Sequence, residues 1–194
     1  MSTHSLQQKW NNIYQQAEGE PNVAEVLQHN HYLLPTKGDA LDLACGRGGN
    51  ALLMAEKGLS VKAWDISEVA IDKLTARALD KGLTVDAQVR DVIKNPPEPN
   101  SLDVLFVSHF LSRSLCPALY EAIKPGGLLM YQTFCEQKVS DSGPNNPDYL
   151  LADNELLSLF EGMKVRVYRE EALLGQHDVG MRNQAWLFAE KLKP

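Results

Sequence analysis

Ala40-Leu41-Asp42-Leu43-Ala44-Cys45-Gly46-Arg47-Gly48-Gly49-Asn50 is the stretch on which the reading of this chain turns. Its opening residues read as a buried strand, its centre is a glycine cluster, and Ala51, Leu52, Ala55 and Leu59 continue as an apolar helical pattern. Gly46 and Gly48 permit a positive φ and leave no Cβ in the way of a ligand. A helix opening near Gly49 turns its unpaired N–H groups toward the same spot. The stretch predicts strand, bare-backbone loop and helix, with a ligand lying across the strand end.

Two cofactor classes use such a loop. Gly46-x-Gly48-x-x-Ala51 fits the dinucleotide fingerprint, and Asp65, about twenty residues on, would take a ribose hydroxyl. Asp42 argues against it, because a carboxylate at the loop mouth repels a pyrophosphate. An amine is attracted instead. S-adenosylmethionine carries a cationic amine and a sulfonium and has no phosphate. The pattern Leu-Asp-Leu-Ala-Cys-Gly-Arg-Gly-Gly-Asn closely resembles the first motif of class I S-adenosylmethionine-dependent methyltransferases.

Outward from this loop, residues 60–65 read as a second strand ending in Asp65. Ser67 caps a helix carrying Val69, Ala70, Leu74 and Ala78, closed by Gly82. Residues 84–89 form a third strand, followed by Arg90-Asp91-Val92. Strand and helix alternate without hairpin turns, so the sheet is parallel and its ligands belong at the carboxyl ends of the strands. Asp42, Asp65 and Asp91 sit at or near three such ends. Asp42 is expected to offset a ligand amine, Asp65 to accept ribose hydroxyls, and Asp91 to accept from an adenine amine while the Val92 N–H donates to the ring.

Residues 102–107 are a fourth strand leading into Ser108-His109-Phe110, and residues 117–123 a helix. Lys124-Pro125-Gly126-Gly127 has the composition of a type II turn before a fifth strand, 128–134. Residues 140–149 are dense in turn formers and read as a surface loop bordering an acceptor pocket. A helix opens at Asp153, and residues 165–170 and 184–189 alternate as an antiparallel closing pair. The expected architecture is α/β and Rossmann-like: a seven-stranded, mostly parallel sheet with an antiparallel last strand and helices on both faces.

Before the loop, residues 6–17 carry Leu6, Trp10, Ile13 and Tyr14 at helical spacing. This stripe fits either a helix packed on the domain edge or one whose Trp10 and Tyr14 cover the cofactor. Residues 21–34 form a weaker helix ending at Pro35. We divide the chain into an N-terminal helical cap, 1–37, and the binding domain, 38–194. His29 and His31 lie on different helix faces, and no metal site is expected.

Composition narrows the function. A formal charge of -6 argues against a phosphate-rich partner such as nucleic acid. No apolar run is long enough to span a membrane, and three cysteines without ligand spacing suit a reduced, cytoplasmic setting. A monomer or homodimer is expected.

From 38 to 191 the chain resembles class I methyltransferases, and Lys-Pro-Gly-Gly before an apolar strand is a second feature of that class. With Val-Lys-Ala-Trp-Asp-Ile-Ser, the loop resembles most the tellurite-resistance (TehB-like) group. The resemblance implies a binding set that adds Ala44, Cys45, Arg47 and Asn50 around the glycines. It further adds Ile66 after the second strand, and Val107 and Ser108 at the end of the fourth. It also implies a basic cluster reaching the acceptor, for which His177 and Arg182 are the nearest equivalents. His109 is a further catalytic candidate, and Arg113 or Arg182 would orient an oxyanion such as tellurite or selenite. A thiol or amine would instead need a base such as His109 or His177. The expected function is methyl transfer to a small-molecule acceptor; the alternatives are an NAD(P)-dependent oxidoreductase and a non-catalytic S-adenosylmethionine-binding protein.

Overall fold

The computed structural model describes residues 3–193. Its frame is a seven-stranded sheet in the order β3-β2-β1-β4-β5-β7-β6. The strands are β1 (Asp39–Leu43), β2 (Ser60–Asp65), β3 (Val85–Val89), β4 (Leu102–Ser108), β5 (Ile123–Phe134), β6 (Met163–Glu170) and β7 (Gln184–Lys191). β1 to β5 run parallel, and β7 is antiparallel to both β5 and β6. The chain steps outward from β1 through β2 to β3, then crosses back to β4 on the other side of β1. The ends of β1 and β4 therefore bound the crevice where such sheets bind ligands.

Period-two alternation gives the sheet two apolar faces. Leu41, Leu43, Leu105, Val107, Leu129 and Tyr131 pack on one face with Leu119 of α5 (Cys116–Ala122) and Leu156 of α6 (Glu155–Leu159). The other face carries Ala40, Val104, Phe106, Met130, Trp186 and Phe188. Against it lie Val26 and Leu27 of α2 (Glu25–Asn30), Ala51 of α3 (Gly49–Glu56), and Ile71 and Leu74 of α4 (Glu68–Asp80). Each fully buried Leu, Val or Phe of these layers stabilises the fold by roughly 1.5–3 kcal/mol. The remaining helix, α1 (Thr3–Gln16), buries no residue fully and is joined to the domain by polar contacts.

Three elements depart from the sequence expectation. Lys124 to Gly127 does not form a separate turn; it bulges within β5, between the pairs Leu102↔Ile123 and Val104↔Leu128. Gly126 takes a φ of 82° there, and Pro125 has no N–H to lose from the ladder. The expected helix 21–34 is only α2 followed by a 3-10 turn, His31–Leu33. Asn30 is buried and its amide donates to the Val26 carbonyl, taking the side chain back along the helix it ends. α6 begins after Asn154 rather than at Asp153, whose carboxylate instead accepts from Gln137. No helix among the described residues is long and apolar enough to cross a membrane.

Candidate active site

The ends of β1, β2 and β4 meet in a cleft of about 280 Å3 roofed by Leu6, Trp10 and Tyr14 of α1. Alternation along β1 decides what each residue of the loop does. Asp42 shares a face with Ala40, so its side chain lies under α3 and is fully buried. Its Oδ2 accepts the Ala51 N–H at 3.0 Å and thereby fixes the first turn of the helix. Its Oδ1 is buried with no hydrogen-bond partner among the described residues. Burial pushes the carboxyl up to about 8, against the pull of the Ala51 N–H.

Beyond β1 the backbone turns sharply, with Ala44, Gly46 and Gly48 all at positive φ. Asp65 ties this loop to the end of β2, its Oδ2 accepting the Gly46 N–H at 2.8 Å and its Oδ1 the Ser67 N–H at 2.9 Å. Each oxygen keeps a lone pair for a further donor. Burial raises this carboxyl as well, opposed by those backbone N–H groups. The Tyr14 hydroxyl reaches over Gly46, where a Cβ would meet it at 2.9 Å. Burial and the nearby Asp65 keep that phenol protonated.

The roof is held by charge. Lys73 of α4 donates to the carbonyls of Tyr14, Gln15 and Ala17 at 2.6, 3.2 and 3.0 Å. Arg47 of the loop reaches the Glu18 and Gly19 carbonyls, and Arg77 the Gly19 carbonyl. These cations answer the partial negative charge at the C-terminal end of α1. Near its other end, Thr3 Oγ1 donates to Asp91 at 3.0 Å, and Ser67 Oγ to Asn11 at 2.6 Å.

At the far wall, Ser108 and His109 close β4, and His109 takes a φ of 54°. Asn50 bridges the walls: Oδ1 accepts the Ala24 N–H at 2.8 Å, and the amide donates to Ser108 Oγ at 3.2 Å. His109 Nε2 meets Gln184 Oε1 at 3.1 Å, and its ring packs on Phe134 with centroids 5.1 Å apart. One side of the imidazole is open to solvent and the other is crowded by protein. The crowding lowers its pKa, partly offset by Gln184.

Most residues proposed from the sequence line this cleft: Trp10, Tyr14, Ala44, Cys45, Gly46, Arg47, Gly48, Asn50, Asp65, Ile66, Asp91, Val92, Ser108 and His109. Two proposed binding residues do not. Asp42 is beneath the loop, and Val107, one place out of phase with Ser108, points into the opposite core. Burial holds the Cys45 thiol well up, which suits a packed side chain. Asp91 accepts from the Ile93 N–H through Oδ1 while Thr3 occupies Oδ2, so its first use here is local.

The expected basic cluster is not brought to the cleft. Arg182 is spent inside the β6–β7 loop, donating to the carbonyls of Val179, Ala172 and Gln176. His177 Nε2 pairs with the Leu173 carbonyl in the same loop. Arg113 holds Glu155 and the carbonyls of Asp148 and Leu150. Residues 140–149 likewise stay out of the lining. Sequence reasoning missed Arg90, whose guanidinium stacks 3.7 Å from the Trp64 ring centroid, and missed Gln132 and Gln184. The signal for the two glutamines was a polar residue on the inward phase of an apolar strand, whereas Arg90 follows β3 and gave none.

The cleft fits a ligand that is cationic and rich in hydroxyl donors. Asp65 and Asp91 line it, the unpaired Asp42 Oδ1 lies under its floor, and both lining arginines are committed to carbonyls. Glycine backbone faces the ligand where Tyr14 leaves no room for a side chain.

Fold and site together are those of a Rossmann-like α/β domain with a ligand cleft at the carboxyl ends of its strands, and the segment that carries the glycine loop is similar to methyltransferase domains. Residues 40–127 match the family model described as a methyltransferase domain. The ubiquinone biosynthesis O-methyltransferase of Burkholderia vietnamiensis is 34% identical over 101 residues, covering 48% of this chain and 43% of that protein. Phosphoethanolamine N-methyltransferase 1 of Arabidopsis thaliana is 29% identical over 108 residues, covering 53% of this chain and 22% of that protein. This chain thus spans less than half the length of the curated relatives it matches. The crystal structure of TehB from Haemophilus influenzae superposes with a TM-score of 0.70 at 20% identity, over 94% of this chain and 67% of that one. At that identity the likeness speaks for the fold.

Proposed function

We propose that the protein transfers the methyl group of S-adenosylmethionine to a small protic acceptor, a hydroxyl or thiol. The observation that carries this reading is the glycine-floored cleft at the β1/β4 crevice, lined by Asp65 and Asp91, whose cations among the described residues, Arg47 and Arg90, are engaged with backbone carbonyls. When bound, the cofactor supplies a methyl group already activated on a sulfonium. The protein's part is to hold and orient. Asp65 offers its remaining lone pairs to ribose hydroxyls, and Asp91 and Val92 flank the place of the base. Trp10 and Tyr14 exclude water from above. Positioning of this kind lowers a displacement barrier by prepaying orientation.

A protic acceptor is favoured over tellurite or selenite. An oxyanion needs paired donors, and the two arginines considered for that task, Arg113 and Arg182, are saturated away from the cleft. Nicotinamide chemistry is disfavoured by the unpaired Asp42 beneath the loop.

Titration calorimetry with S-adenosylmethionine, S-adenosylhomocysteine and NAD tests the reading. The first two should bind at micromolar concentration and NAD should be silent. Asp65→Ala should weaken cofactor binding by roughly 2 kcal/mol, since it strands buried donors. NAD binding alone would overturn the proposal. Binding without turnover on catechol, 2-mercaptoethanol or selenite would leave a cofactor-binding protein, and turnover on selenite alone would restore the oxyanion.

A further inference from the structure

One hydrogen-bonded chain runs from a backbone amide of α2 to the imidazole in the cleft. It begins at Val26, whose N–H can only donate, and Gln132 Oε1 receives it at 2.8 Å. That fixes the orientation of the Gln132 amide, because flipping it would set an NH2 against an N–H. Gln132 Nε2 must then be the donor to Gln184, at 2.8 Å from Oε1. The same logic fixes Gln184: flipped, its own NH2 would face the NH2 of Gln132. Gln184 Oε1 has two lone pairs, and the second faces His109 Nε2 at 3.1 Å. Nε2 must therefore carry a proton. In a neutral imidazole this leaves Nδ1 as an acceptor, and no described residue pairs with it.

The fold dictates this chain. Ser108, Gln132 and Gln184 occupy the phase of β4, β5 and β7 that faces α2, with Ser108↔Gln132 and Phe134↔Gln184 in register. Gln132 is 3% exposed, so its two partners are the ones that the protein gives it. His109 hangs from the end of β4 by its N–H to the Gln132 carbonyl at 2.8 Å. Its left-handed φ turns it out of the strand, and Phe134 fixes the ring plane. A β4 terminus that only needed to end would not hold a bulky residue in this conformation.

We propose that Gln132 and Gln184 are positioning residues that lock the His109 proton on Nε2, so that Nδ1 serves as the catalytic base for an O–H or S–H acceptor in the cleft. This rests on the methyltransferase reading above and narrows its substrate to a weak acid that must lose a proton. The proton passes from the acceptor oxygen or sulfur to Nδ1, and the bonding pair stays on that atom as the attacking lone pair. The resulting imidazolium keeps its Nε2–H bond to Gln184 and returns the proton to solvent from its open side. Crowding by protein on its closed side favours the neutral imidazole at the start, and no charged side chain contributes to its shift. The ionisable groups sharing the cleft with it are Tyr14, Cys45, Arg47, Asp65, Arg90 and Asp91.

The test is imidazole nitrogen NMR on the whole 15N-labelled protein, with His109 assigned by its loss in His109→Asn. At pH 8 the His109 signals should report the Nε2–H tautomer. In Gln184→Leu the ratio of Nε2–H to Nδ1–H should fall about fivefold, the factor that one neutral hydrogen bond supplies. Gln184→Glu should restore the Nε2–H form and raise the imidazole pKa. Gln132→Leu also unpairs Val26, so Gln184 carries the argument. With S-adenosylmethionine and catechol, Gln184→Leu should lower kcat while KM for catechol holds. The wild-type rate should rise with pH through the His109 titration seen by NMR. An Nδ1–H tautomer in the wild type, or an unchanged ratio in Gln184→Leu, overturns the relay even if methyl transfer occurs. Silence toward S-adenosylmethionine with the Nε2–H tautomer intact overturns the methyltransferase reading instead, and the role as base with it.

Discussion

Asp42→Asn separates what this residue does for the fold from what it does for the ligand. The carboxyl is fully buried, holds the Ala51 N–H through one oxygen and leaves the other unpaired. Its pKa rises on folding from 3.8 to about 8. A raised carboxyl means that the folded state binds the proton more tightly than the unfolded chain. The stability cost is absent below the unfolded pKa, grows as pH rises, and levels off once pH passes the folded pKa. Each pH unit inside that window costs about 1.4 kcal/mol, so from about pH 5 to pH 8 the wild type loses roughly 4 kcal/mol that the variant does not. The asparagine keeps an oxygen for the Ala51 N–H but buries an unpaired NH2, a pH-independent penalty of about 1–3 kcal/mol. The diagnostic is therefore the slope and not the offset. Urea unfolding of both proteins at several pH values should give a stability difference that moves in favour of the Asp42→Asn variant as pH rises. Parallel curves would refute the buried, proton-holding carboxyl. In the same variant S-adenosylmethionine affinity should fall above pH 8, where the wild-type carboxyl is ionised and the variant has no charge beneath the loop.

The roof and the loop make two further predictions. Lys73→Met removes the cation shared by the Tyr14, Gln15 and Ala17 carbonyls, and should lower the protection of α1 amides in hydrogen exchange by about 1.5–3 kcal/mol while β1 and β4 amides stay protected. Gly49→Ala sets a Cβ against the backbone of Pro21 and Asn22, which cannot swing aside like a side chain, and should cost about 1–3 kcal/mol in urea unfolding.

Much of this architecture is legible in the order of local signals. The alternation of strand and helix from residue 40 to 89 gives parallel β1 to β3, and Ser67 caps α4 through the Ala70 N–H as its position implies. The glycine loop and Asp65 come from one motif, so they are found together. Val107 is misplaced from sequence because membership of a strand end does not state its phase; only pairing with β1 and β5 puts Ser108 toward the cleft and Val107 away from it. Arg182 and His177 mislead for a different reason. A loop cation reads as free in sequence, since nothing local predicts that the carbonyls of its own loop will consume it. Gln132 and Gln184 lie far apart in the chain and gain meaning only through the β5–β7 register.

The placement of charge ties these pieces into one device. The acids Asp65 and Asp91 face the cleft, whereas Lys73, Arg47 and Arg77 turn to the carbonyls that end α1. A ligand with an amine and a sulfonium gains from the first arrangement and is spared repulsion by the second. Arg47 belongs to the loop that presents bare backbone to the ligand, and Lys73 and Arg77 to the helix that Ser67 starts beside Asp65. The roof is thus fastened mainly to the glycine loop and α4, with one further bond from Thr3 to Asp91 beyond β3. The glycine loop and α4 thereby hold the end of α1 where Trp10 and Tyr14 lie over the site. A helix with no fully buried residue and a polar fastening belongs at the low-stability end of the fold, so α1 amides should exchange faster than those of β1 and β4.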